Sequence, residues 1–267
     1  LLQEAQDPDA QFFRHLRHGV PLGVGVRLPR TPAVFERKTS WKLPLLQLED
    51  AARVAANYSS AAERPEVVRE QYLADEALGR MIRVPEAELH RYFGTRVAII
   101  ALGALEKKPN SDEWRIISDG SHTVFVNHRI RVRDLVRMPT YWDLHSVMQD
   151  LSDREHTTRF TLLFDVAGAH RLVPIRCEDW GLMASKVEST DSDVFVNTVG
   201  TFGFASAAYY WGRESAALLR LAHYLLGPLF PLWLLLYADD GNILSFGPRF
   251  HLNIWLMLFT WVVLGVP

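Results

Sequence analysis

Several common kinds of site lack their raw material in this chain. A single cysteine, Cys177, stands among 267 residues, which excludes an internal disulfide framework and a cysteine-based zinc site. Cys177 itself is expected to be a small buried apolar residue. Lys and Arg number 29 against 31 Asp and Glu, for a formal net charge of −2. Any contact with nucleic acid must therefore come from local basic patches, not from a global field. No internal repeat or low-complexity tract is present. No apolar run approaches the roughly 20 residues that span a bilayer. Residues 225–238 are broken by Pro228 and Pro231 and run into Asp239, and residues 252–266 are too short, so both are expected to be buried core. Gly23-Val24-Gly25-Val26 is too short for a dinucleotide fingerprint and no helix start follows it. His15 and His18 find no third ligand nearby and read as solvated surface. Residue 1 is Leu, no signal-peptide pattern follows, and the sequence ends within an apolar stretch; it reads as an internal piece of a longer polypeptide.

What is present is a chain able to bury a core, 48% hydrophobic and 22% charged. Residues 1–64 have no clear period and are set aside as an extension of unknown role. From Pro65 the spacing of Val68, Tyr72, Leu73, Ala77 and Met81 predicts an amphipathic helix, ended by Pro85. A short helix from Pro85 to near Gly94 follows. Residues 96–105 and 114–118 read as two strands joined by the polar turn Lys107-Lys108-Pro109-Asn110-Ser111-Asp112. Beyond the basic stretch at Arg129, Arg131, Arg133 and Arg137, the pattern predicts a helix over 143–151 and a strand over 160–166. A loop and further strand over 171–187, a strand over 195–201 and a helix over 205–226 follow, the last stopped by Gly227-Pro228. A hairpin over 232–246 and an apolar helix from about residue 250 complete the order. Antiparallel strands with helices on one face, an α+β arrangement, accommodate this sequence of elements.

The stretch Leu-Trp-Leu-Leu-Leu-Tyr-Ala-Asp-Asp-Gly-Asn-Ile-Leu-Ser-Phe, residues 232–246, carries the most chemistry. Asp239 and Asp240 end an apolar run, and the Asp240-Gly241 pair, flanked by apolar runs, predicts the hairpin turn. A carboxylate delivered to a turn by a buried strand needs a cation or a hydrogen-bonding partner. Asp165 closes the apolar run Phe160–Phe164 in the same manner. Taken alone, an Asp at a strand end is a cap or turn residue. Two-metal phosphoryl transfer needs at least two carboxylates converging from separate strands to hold Mg²⁺ ions roughly 3.5–4 Å apart, and Asp165 with Asp239 and Asp240 meets that demand. Mg²⁺ takes one or two protein carboxylates with substrate phosphates and water, so neither His nor Cys is required.

Residues 97–247 resemble the fingers and palm of the reverse transcriptases of retroelements. Val97–Ser121, with its Lys-rich turn followed by Trp114-Arg115 and then Asp119, resembles the fingers hairpin, and Asn127 matches the Asn that follows it. Phe164-Asp165-Val166, continuing through Pro174-Ile175 and Glu178-Asp179, resembles the first palm motif. Thr201-Phe202-Gly203-Phe204 resembles the Pro-Phe-Gly-Leu segment behind the templating base pair, and Tyr237-Ala238-Asp239-Asp240 the catalytic hairpin.

The resemblance implies a polymerase palm (a ferredoxin-like antiparallel sheet with helices on one face) plus fingers, truncated at the C-terminal end. It divides the chain into an extension over 1–64, fingers over 65–140 and an incomplete palm over 141–267, with no thumb. The implied activity is RNA-directed DNA polymerisation, a nucleotidyl transfer from a dNTP to a primer 3′-OH with two Mg²⁺ ions, for which Mn²⁺ can substitute. Asp165 and Asp239, assisted by the Val166 carbonyl, would hold the metals, with Asp240 beside them. Lys108 and Arg115 would contact the triphosphate, while His170, Phe202 and Gly203 would shape the nucleotide pocket. Taken alone, Lys108 is a solvated turn lysine and Phe202-Gly203 a turn. His170 stands where the family has Tyr or Phe against a ribose 2′-OH, and Thr201 replaces a Pro, leaving that loop less rigid. The implied partners are a primer-template, dNTPs and further domains of one polyprotein, with no membrane, inside the cell in cytoplasm or nucleus. The alternative from a different class is a palm fragment that binds nucleic acid or a protein without catalysis.

Overall fold

The computed structural model describes residues 1–46, 52–153 and 159–266. In its first half, α1 (Phe12–Leu16) and β1 (Glu36–Arg37) precede α2 (Ser59–Ala62), α3 (Pro65–Ala77) and β2 (Met81–Pro85). Next come α4 (Leu89–Phe93), the hairpin strands β3 (Ile99–Glu106) and β4 (Trp114–Asp119), and the short β5 (Asp134–Leu135). The second half holds α5 (Tyr141–Ser152), β6 (Arg159–Asp165), β7 (Ala184–Ser185), β8 (Asp193–Asn197) and α6 (Ala205–Leu226). The chain closes with β9 (Trp233–Tyr237), β10 (Asp240–Phe246) and α7 (Phe250–Val263). Pro65 sits in the first turn of α3, where its missing N–H is no loss. A capping box opens α5: Thr140 accepts from the Asp143 amide, and its own backbone N–H donates to the Asp143 carboxylate at 2.6 Å.

Three sheets organise the described residues: five strands in the order β2-β8-β7-β3-β4, three in the order β6-β10-β9, and the pair β1-β5. Pairing is antiparallel except where β3 runs parallel to β7. The larger sheet draws β7 and β8 from beyond residue 140 to lie beside β2, β3 and β4. Met81, expected on the helix, instead opens β2 and is buried: Leu78 ends α3 and Gly79, at φ +71°, turns the chain into the strand.

Residues 1–46 are structural. Phe12, Val20, Leu22, Val24 and Leu28 pack into the largest core cluster with Val126, Ile130, Tyr209 and Tyr210. The Tyr209 and Tyr210 hydroxyls donate to the carbonyls of Pro29 and Pro21, at 2.5 and 2.7 Å. A second core lies between the three-stranded sheet and helices α6 and α7, built on Val166, Trp211, Leu236, Ile243, Met257 and Trp261.

Two expectations about burial are corrected. Cys177 is exposed, because it begins a helical turn at the surface. The apolar run at 252–266 is buried on one face only: Ile254, Met257 and Trp261 face the core, while Trp255, Phe259, Val262 and Val263 face outward. Among the described residues no helix is long and apolar enough to cross a membrane.

Candidate active site

The aspartates lie at one edge of the three-stranded sheet, and the register of β10 fixes their relation. Asp240 pairs with Asp165 on β6 and with Tyr237 on β9. Directly opposed residues of antiparallel strands have Cβ atoms about 4.5–5.5 Å apart, so the register places two acids against each other. The two residues left between β9 and β10 are Ala238 and Asp239, and they form the turn. That corrects the expected turn at Asp240-Gly241, which begins β10 instead. Gly241 is needed there for another reason: the Phe164 ring lies over it, where any Cβ would collide, and the same ring meets Trp261 edge-on at 5.0 Å. Ala238 adopts a left-handed conformation, φ +53°, which side chains disfavour. The Val166 N–H donates to the Asp239 carbonyl at 3.0 Å, tying the end of β6 to the turn.

Among the described residues, none of the three carboxylates accepts a hydrogen bond or meets a cation within ion-pair distance. Desolvation, then Asp239 and then Asp240, raise the Asp165 carboxyl above the ordinary range. Among the described residues no cation is placed to compensate the charges concentrated here. No group of three or more His, Cys, Asp or Glu side chains is placed to hold a metal alone among the described residues. A closed protein cage for a metal is thus not formed among the described residues.

The loop that leads into α6 is linked to the acids through His170, which touches Phe202 and feels the Asp239 charge. Gly203, at φ +98°, passes so close to the Ser118 carbonyl that a side chain there would collide with it. Asn127 holds this loop: its amide donates to the Gly203 carbonyl at 2.5 Å and its oxygen accepts the Ala205 N–H at 2.9 Å. Phe202 is thereby presented outward, with the Arg115 guanidinium 5.3 Å from its ring centre and His170 edge-on at 4.6 Å. Burial pulls the His170 pKa down, partly opposed by the Asp239 charge, and its buried Nδ1 has no hydrogen-bond partner among the described residues.

The expected site residues thus gather in two groups. Asp165, Val166, Asp239 and Asp240 share the sheet edge. Arg115, His170, Phe202 and Gly203 form a wall coupled to it through His170 and Asp239. Lys108 lies exposed at the tip of the β3–β4 turn, where its backbone N–H bonds to Ser111, and no contact among the described residues links it to either group. Trp211 was missed. Its indole N–H donates to the Ala238 carbonyl at 2.7 Å, and only its place two turns into a helix after the Phe202-Gly203 segment could have pointed to it.

A solved structure of a foamy viral protease–reverse transcriptase (dRH) in complex with double-stranded DNA superposes on this chain with a TM-score of 0.57 and 16% sequence identity. The fold is reverse-transcriptase-like. The superposition takes in 87% of this chain and 35% of the viral one, so the chain spans about a third of that protein. No family model matches the sequence, and no curated protein does. Such similarity carries the architecture and leaves the chemistry to the residues at the sheet edge.

Proposed function

We propose that this reverse-transcriptase-like chain carries the nucleotidyl-transfer centre of an RNA-directed DNA polymerase. On this reading the three-stranded sheet with α6 and α7 serves as the palm and the β3–β4 hairpin region as the fingers. The observation that carries the proposal is the placement of three uncompensated carboxylates, Asp165, Asp239 and Asp240, at one sheet edge in a fold similar to that of a viral reverse transcriptase. Two Mg²⁺ ions bound there would polarise the primer 3′-OH and neutralise charge on the triphosphate. Asp165 and Asp239 are the assigned ligands, aided by the Val166 carbonyl, with Asp240 enlarging the negative field. The 3′-oxygen forms a bond to the α-phosphorus of the dNTP while the bond to the leaving pyrophosphate breaks.

Arg115 and Lys108 supply positive charge for that pyrophosphate. Arg115 is held over the Phe202 ring, whereas Lys108 sits on a turn that has to approach the substrate. Phe202 and Gly203 form the wall of the nucleotide pocket, and His170 stands against the sugar. Burial lowers the His170 pKa against the opposing Asp239 charge, and the ring serves there as a shape against the sugar. The partners on this reading are a primer-template, dNTPs and further domains of the same polyprotein.

The test is primer extension on an RNA template with Mg²⁺ and dNTPs, using the longest polypeptide that contains this chain and its Asp239→Asn variant. Extension that vanishes in a variant of unchanged circular dichroism supports the assignment. A folded wild-type protein that binds primer-template and never extends it would replace polymerisation with the binding-only alternative.

A further inference from the structure

We infer that Trp211 is a positioning residue that holds Ala238 in its left-handed conformation and thereby aims Asp239. The inference rests on the proposed metal role of Asp239, but its first test does not depend on it. The turn between β9 and β10 has only Ala238 and Asp239 with which to reverse the chain, and Ala238 lacks the freedom of a glycine at positive φ. Something must therefore keep the turn from relaxing. The turn is held at successive carbonyls: Ala238 accepts from the Trp211 indole at 2.7 Å, and Asp239 accepts from the Val166 amide at 3.0 Å. The Ala238 N–H faces the Met138 sulfur at 3.4 Å, a weak acceptor. The strong fixed donor to the strained residue is thus the indole.

Such pairing is not automatic for a buried indole in this core. Trp261 belongs to the same cluster, and its buried Nε1 has no partner among the described residues. Trp211 is fully buried on α6 against Val166, Leu236 and Ile243, so its N–H cannot swing away to water. Helix α6 also begins directly after the Phe202-Gly203 loop. One rigid element thereby sets both the wall of the proposed nucleotide pocket and the turn that bears Asp239.

The experiment compares wild type, Trp211→Phe, Ala238→Gly and the double variant, with benzothienylalanine at position 211 as a bicyclic control lacking the N–H. The first readout is metal-free amide hydrogen exchange at Val166, whose N–H reports whether the turn is closed. Loss of one such hydrogen bond predicts roughly five- to tenfold faster exchange at Val166 in Trp211→Phe and in the benzothienyl protein. Exchange at Ile243, inside β10, should stay unchanged. Ala238→Gly should restore Val166 protection to within about twofold, because glycine takes positive φ without steric cost. The second readout is Mn²⁺ affinity from the paramagnetic resonance of free Mn²⁺, which should weaken and recover in parallel.

Unchanged Val166 exchange in the benzothienyl protein would overturn the inference. So would equal loss with Ala or Gly at position 238, which would make Trp211 a packing residue. A wild-type protein that binds no Mn²⁺ yet shows the Val166 pattern would sink the metal-centre reading and leave the positioning role standing.

Discussion

The acids in or bonded to the N-terminal segment and those of the sheet edge are treated in opposite ways. Asp9 is buried with Arg213, whose Nε lies 2.9 Å from it, and Asp7 meets Arg220 at 2.6 Å. Asp134 takes Arg30 at 2.8 Å and the Thr31 amide at 2.7 Å, while Asp179 is enclosed by Arg96, Arg176 and the Leu22 amide. Burial opposes the Asp7 charge, but the Arg220 hydrogen bond and its neighbours outweigh that and hold the carboxyl below its usual range. At the sheet edge Asp165 is pushed the other way, by desolvation and two like charges. A carboxylate kept for structure is given its cation by the fold. One left without a cation among the described residues, beside other acids, is what the proposed metal role of the sheet edge requires.

The largest effect follows from breaking the second group. Asp239→Asn should lower nucleotidyl transfer about a thousandfold or more, the loss of several kcal/mol of metal-borne stabilisation, with little change in melting temperature. A melting temperature that falls together with activity would make Asp239 structural and erase the contrast. The first group should behave in reverse. Asp9→Ala strands the Arg213 guanidinium inside the protein, and breaking such a buried pair costs about 3–5 kcal/mol. Urea unfolding monitored by circular dichroism measures this. A loss below about 1 kcal/mol, typical of exposed pairs, would mean that water reaches Arg213 and the segment is only loosely applied.

This division was partly legible in the sequence. Asp165, Asp239 and Asp240 stand out because each ends an apolar run, and helix α6 falls on residues 205–226 as its composition predicts. The exact turn was not legible, since Asp240-Gly241 carries a strong hairpin signal that the Phe164 ring uses for packing instead. The structural role of residues 1–46 was hidden for a different reason. Its apolar residues, among them Val20, Leu22 and Leu28, follow no period because that segment is irregular and packs by tertiary contact. Asp7 and Asp9 find Arg220 and Arg213 more than two hundred positions away, a distance no local pattern encodes. Met81 was lost for a simpler reason, an apolar residue continuing a helical period one turn after the helix had stopped.

Glu214 sharpens the comparison as a third treatment of an acid. It is largely buried, its Oε2 has no partner among the described residues, and desolvation lifts its pKa from 4.5 to about 7. It borders a cavity of about 520 Å³ lined largely by apolar residues, among them Leu172, Leu218 and Leu221. The folded state binds the proton more tightly than the unfolded chain does. Its contribution to stability is therefore complete below about 4.5 and is lost as pH rises through about 7. Glu214→Gln cannot ionise, so it should gain on the order of 1–3 kcal/mol over wild type at pH 8 and nothing at pH 4. Melting curves across that range check it, and parallel pH profiles for the two proteins would show that Glu214 is solvated or paired.

The smallest effect tests whether the sheet-edge acids are coupled as their register implies. Asp240 lies opposite Asp165, and its charge follows burial and Asp239 among the causes that raise the Asp165 carboxyl. Asp240→Asn removes one like charge and keeps the shape, so Asp165 should release its proton at lower pH than in wild type. Coupled carboxylates share macroscopic titration steps, so the shift should appear in the acid limb of Mn²⁺ binding. That limb should move to lower pH while affinity at pH 8 falls, because the site has lost part of its attractive field. Stability should rise slightly at neutral pH, since the folded state no longer brings Asp240 as a charge against Asp165. The two signs together are diagnostic. Weaker metal binding with better stability is the behaviour of a carboxylate held ready for a cation, whereas substitution of Asp9 or Asp7 should cost stability with no gain elsewhere. An acid limb that stays fixed in Asp240→Asn would show that Asp165 titrates independently and that desolvation alone sets its proton affinity.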